Sequence, residues 1–178
     1  MTSDEHPRLV AAAGLVIGAL LGMAGSFAPS APIRGLAWGA DGTALVMASA
    51  LIAIHHLRNG REQLAAGFLV FLAGETLIVS GSAMDLAASA PLFAAGAALW
   101  AAALGLISAA REFPVLARAT GAIAAVLFAI TAARMFLGAR LTALSTPLPF
   151  GAYPFLAITL LGWAWAHLRT RPARNAAP

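Results

Sequence analysis

Cysteine is absent from this chain. That excludes disulfides, thiol chemistry and cysteine-held metals. Lysine is absent as well, so all 11 basic residues are arginine. Charge of either sign is scarce: 10% of residues are charged, 61% are hydrophobic, and the mean hydropathy is +0.85. A soluble domain carries about 25% charged residues. A chain this apolar would aggregate unless a bilayer were its solvent, so the composition predicts an integral membrane protein.

Several chemical signatures are also missing. There is no Gly-Lys-Ser phosphate loop, no His-Glu-x-x-His zinc motif and no Gly-x-Ser-x-Gly elbow. No catalytic residue is therefore expected, and no cofactor. The sequence pI of about 11.4 suggests nucleic acid at first sight. The arginines, however, flank apolar segments. The expected partner is the lipid bilayer, not nucleic acid.

What is present is a series of long apolar runs. A spanning helix needs about 20 apolar residues, and six segments qualify: 9–28, 35–57, 64–82, 91–110, 119–137 and 150–168. They are continuously apolar and do not alternate, which argues against strands. The predicted fold is all-α: a polytopic bundle of six transmembrane helices forming a single domain over 1–178, with a basic tail at 169–178. The lead MTSDEHPR holds Asp4 and Glu5, a poor start for a signal peptide. The first segment therefore counts as a span.

The loops alternate in charge. Arg8, Arg58, Arg61, Arg111, Arg118, Arg169, Arg171 and Arg174 fall on one side of a six-helix layout; Arg34, Arg134 and Arg140 fall on the other. Eight against three places both termini in the cytoplasm of a bacterial-type inner membrane. The tail arginines would meet anionic headgroups.

Small residues mark the faces where helices should meet, because lipid supplies no hydrophobic drive for association. Gly14, Gly18, Gly22 and Ser26 form a ridge on the first helix. Gly35 and Gly39 repeat the spacing on the second, and Gly67, Gly74 and Gly81 recur every seven residues on the third. Such ridges serve packing within one chain, a homo-oligomer or a larger membrane complex. Ser-x-Pro recurs at Ser30, Ser89 and Ser145, and early glycines recur at Gly14, Gly67 and Gly121. This is the pattern of three serial hairpins, although alanine-rich segments with proline turns produce such matches by chance.

Two acids interrupt the apolar runs. Glu75 sits in FLVFLAGETLIVSG, residues 68–81, and Asp41 lies in the second segment at a similar depth. A charge at the bilayer centre costs about 2.5–3.5 kcal/mol on insertion scales, so an intramembrane acid is a functional candidate. A short loop makes their helices neighbours, and the acids are expected to face each other. At about 100° per residue, Glu75 shares its face with Gly67, Phe71, Gly74, Ile78 and Ser82. Asp41 shares its stripe with Arg34, Trp38, Leu45, Ala48 and Ile52. Arg134 is expected to reach the same layer, and Thr43, Thr76 and Ser80 to line a polar pocket. The cluster is either a tied-off structural pair, a proton carrier or a hard-cation site.

His55, His56 and His167 lie near the cytoplasmic end. Imidazoles from two helices would suit a transition metal or haem, while histidine also suits a helix C-terminus. Trp38 is expected at the outer interface, Trp163 and Trp165 at the inner one, and Trp100 in the core beside any central cavity. Three functional classes result. The first is a transporter or channel for a proton, cation or small solute through Asp41, Glu75 and Arg134. The others are an accessory or scaffold subunit of a larger complex and a membrane enzyme or haem protein.

Overall fold

The computed structural model describes residues 5–169; Arg171 and Arg174 of the basic tail lie outside them. Six α-helices follow one another: α1 Glu5–Ser26, α2 Ala31–Arg58, α3 Glu62–Ser80, α4 Ala90–Ala109, α5 Val115–Phe136 and α6 Tyr153–Arg169. One 3-10 turn, Phe150–Ala152, leads directly into α6. No strand occurs among the described residues. Helices α1 to α5 are long and apolar enough to cross a membrane. In a lipid environment only internal hydrogen bonding satisfies the backbone, which is why continuous apolar runs become helices.

The helix ends follow local chemistry. Pro32 and Pro91 sit in the first turns of α2 and α4, after Ser30 and Ser89, where their missing N–H is not needed. Helices α2 and α5 end in the same motif. Gly60 (φ 68°) and Gly138 (φ 95°) adopt a left-handed conformation that an L side chain resists. Around each, two N–H groups reach back to free carbonyls: Gly60 to Leu57 and Arg61 to His56, then Gly138 to Met135 and Ala139 to Arg134. These are Schellman closures. The third Ser-x-Pro stretch departs from the first two, because Ser145 starts no helix and α6 begins only after the 3-10 turn.

Each helix packs on the next, and α6 closes on α1. The result is a ring of six helices, and the start of α1 and the end of α6 lie at one end, here the terminal end. Arg8 clasps the closure there, its guanidinium donating to the His167 carbonyl at 2.7 Å.

The glycine ridges are used inside this ring. A Cβ on Gly14 would lie 2.8 Å from the Ala44 carbonyl oxygen, and one on Gly18 would collide with the Leu45 side chain. The α1 ridge thus lets α2 approach closely. The seven-residue repeat on α3 faces α4: Gly67 meets Ile107, Gly74 meets the Gly96 carbonyl and Trp100, and Gly81 meets Ser89. Gly35 and Gly39 face Ser82, beyond the end of α3. The outer surface is apolar, with Leu36 76% and Leu137 89% exposed, as lipid contact requires.

A continuous run of rings follows the interior. From the terminal end it passes from Phe113 and His167 through Phe68 and Trp163 to Phe71, Trp100, Phe128 and Tyr153. Trp163 is 1% exposed, which corrects its expected place in an interfacial belt. Trp163 and Trp165 are two positions apart, about 200° round the helix, so only one can face outward. Trp165 does, with the Arg169 guanidinium 3.9 Å from its ring centre.

Candidate functional site

Asp41 and Glu75 line one cavity in the half of the bundle away from the termini. Its volume is about 70 Å³. Helices α1, α2, α3, α4 and α6 wall it, and Ser82, Ser89 and Ala143 from the connecting segments complete the lining. Helix α5 contributes no side chain to it.

Glycine makes the room for both acids. Asp41, on α2, leans across onto α1, and its Oδ2 would lie 2.8 Å from a Cβ on Gly22. Glu75, on α3, leans across onto α2, and its Oε1 would lie 3.0 Å from a Cβ on Gly42. Each carboxyl therefore occupies a notch in the preceding helix. Trp38 fixes the first notch, because its Nε1 donates to the Gly22 carbonyl at 3.3 Å. The two carboxyls interact electrostatically.

Their hydrogen bonding is incomplete. Asp41 Oδ1 and Glu75 Oε2 are buried without a hydrogen-bond partner. Trp100 lies beside the Glu75 carboxyl and stacks on Phe71. Glu75 is only 1% exposed. A buried polar group with no partner carries a desolvation penalty of about 1–3 kcal/mol, more when charged. Two such oxygens, on two residues that line one cavity, mark the least satisfied polar cluster of this half of the bundle.

Trp38 and Trp100 line the same cavity, as do Leu45 of the Asp41 stripe and Ile78 and Ser82 of the Glu75 stripe; the other stripe residues do not. Arg134, expected in the same layer, is exposed near the end of α5 and does not line the cavity. Phe128, the buried ring of α5, is six positions away, about 120° round the helix. Thr43, Thr76 and Ser80 are exposed too, and each hydroxyl donates to the carbonyl four residues earlier, at 2.8, 2.9 and 2.6 Å. That back-bonding lets a hydroxyl face lipid without a partner helix.

Sequence reasoning missed Tyr153, Phe93, Ser26 and Ser89, which all line the cavity. Tyr153 carries a signal in hindsight, being the one tyrosine of the chain. Its hydroxyl donates to the Ala143 carbonyl at 2.8 Å, which pins the α5–α6 connection over the site.

The histidines gather at the terminal end. The ring centres of His55, His56 and His167 lie 5.5 to 6.2 Å apart. His56 is 3% exposed and stacks on Phe68. Neither of its ring nitrogens has a hydrogen-bond partner. His167 Nδ1 pairs with the Trp163 carbonyl at 2.8 Å. No group of three histidine or acidic side chains among the described residues is arranged to hold a metal ion.

No protein-family model matches the chain, and no curated protein or solved structure matches it either.

Proposed function

We propose that the protein moves a proton or small cationic solute through the membrane by way of the Asp41–Glu75 cavity. In this reading all six helices span. Helix α6 has 17 residues and follows a turn of 3, together about 30 Å long, which matches a hydrocarbon core of about 30 Å. The arginine bias then sets both termini on the cytoplasmic side of a bacterial-type inner membrane.

One observation carries the proposal: two carboxyls line one cavity, and each keeps a buried oxygen, Asp41 Oδ1 and Glu75 Oε2, without a hydrogen-bond partner. The cavity's lining contains no arginine or histidine. A tied-off structural pair would have a cation against each acid. Here the neutralising charge has to arrive from outside, as a proton or as a cation.

The scaffold alternative has less to draw on. Its natural surface would be the α1 ridge, and Gly14, Gly18 and Gly22 are already occupied by α2. The haem reading has only the histidine cluster behind it.

Reconstitution into liposomes carrying an internal pH dye tests the proposal. An imposed cation gradient should drive a pH change or cation flux with the wild type and lose at least tenfold of its rate in Glu75→Gln and Asp41→Asn. Equal flux in wild type and both variants would overturn it.

A further inference from the structure

The lining of the acid cavity specifies more than charge. Apart from Asp41 and Glu75 it is dominated by apolar and aromatic side chains, including Trp38, Phe93, Trp100 and Tyr153. The polar ends of two of these rings are already engaged. Trp38 Nε1 bonds the Gly22 carbonyl and the Tyr153 hydroxyl bonds the Ala143 carbonyl, so both rings serve as apolar wall.

A bare metal ion fits this lining poorly. Hard cations take six or more oxygen ligands, or keep several waters. Two carboxyls face the cavity, and among the described residues no third acid or histidine joins them. The serines of the lining add neutral oxygens only, and two of them already spend their protons on carbonyls: Ser26 donates to Gly22 at 3.0 Å and Ser89 to Leu86 at 3.1 Å. An ammonium ion has the opposite requirements. Its N–H groups need two or three acceptors, its carbon atoms need apolar contact, and aromatic walls attract its charge.

Size narrows the class further. An apolar cavity of about 150 Å³ holds one benzene. The present cavity, at about 70 Å³, is about half of that, so roughly three or four heavy atoms fit.

We propose that the cavity binds a small primary ammonium ion, with the Asp41 and Glu75 carboxyls accepting its N–H groups and the aromatic wall covering its short alkyl chain. This rests on the reading of the cavity as a cation site. It adds the chemical class of the cation and a size limit.

Calorimetric titration of the detergent-solubilised full chain tests both layers. The ligands are ethylammonium, benzylammonium, sodium and calcium, each at constant pH and ionic strength. Ethylammonium should bind saturably, and at least tenfold more weakly in Glu75→Gln and in Asp41→Asn. Benzylammonium should not bind, and this needs no variant, so the size limit stands or falls even if a variant folds badly. Acid-dependent binding of sodium or calcium, without ethylammonium, would overturn the ammonium assignment and leave a cation site. Equal binding of benzylammonium would overturn the size argument and with it the proposal. If no cation depends on either acid, both this inference and the cation reading fall.

Discussion

The two halves of the bundle are built from the same six helices and end up opposite in character. In the terminal half large rings meet at the axis: Phe68, Phe113 and Trp163 pack with centres 5.0 to 6.2 Å apart, and the interior is closed. In the far half α1 contributes three small residues, Gly18, Ala19 and Gly22, beside Met23 and Ser26, and the interior holds a cavity. The open half holds the unpartnered acids. What differs is residue size at the seam. Where glycine lets one helix lean on the next, a long polar side chain gains a notch and the axis is left unfilled.

Substitutions in each half sharpen that contrast, and they rank by expected effect. Trp163→Ala empties the closed half and should cost about 3–5 kcal/mol, read as a large drop in Tm in detergent. The same truncation at Trp38, beside a space that already exists, should cost less than half as much. Equal losses would erase the distinction between the halves.

Next comes Gly42→Val. The added carbons would meet the Val79 side chain at 2.7 Å and Glu75 Oε1 at 3.0 Å, so overpacking should cost about 1–3 kcal/mol and displace Glu75 from its notch. Thermal unfolding gives the first number, and flux through liposomes gives the second effect. A stable variant with full flux would show that the notch does not position the acid.

Glu75→Gln and Asp41→Asn should change stability little, within about 1 kcal/mol in either direction, because each removes a charge that has no cation partner. They should nonetheless abolish flux. A strong loss of stability in either would mean that the acid is paired and structural. The smallest effects belong to Arg134→Gln and Thr76→Ala. Both side chains are exposed, so stability should stay within about 0.5 kcal/mol and flux should be unchanged. A flux defect in Arg134→Gln would bring that arginine back into the site.

The far half was also the harder one to read. The helices were legible, because runs of about 20 apolar residues admit little else; each expected segment overlaps the observed helix and differs by a few residues at its ends. The pairing of Asp41 with Glu75 was legible from their depth and a short connecting loop. Thr43, Thr76 and Ser80 misled because a hydroxyl can satisfy itself on its own helix, and composition does not reveal which option it takes. Arg134 misleads because depth alone places it, whereas its direction round α5 is about 120° from that of the buried Phe128. Tyr153 was invisible because it reaches the cavity only once α6 closes on α1, a contact between the first and last helices that no local pattern encodes.

Thiol accessibility tests the central claim most directly, since the native chain has no cysteine to interfere. Ala19 and Ala103 are both buried alanines, at 4% and 0% exposure; Ala19 lines the cavity and Ala103 does not. Silver ion, a thiol reagent small enough for a cavity of about 70 Å³, added from the far side, should react with Ala19→Cys and leave Ala103→Cys intact. Protection of Ala19→Cys to the same degree as Ala103→Cys would mean that the far half is as closed as the terminal half, and that Asp41 and Glu75 line no accessible site.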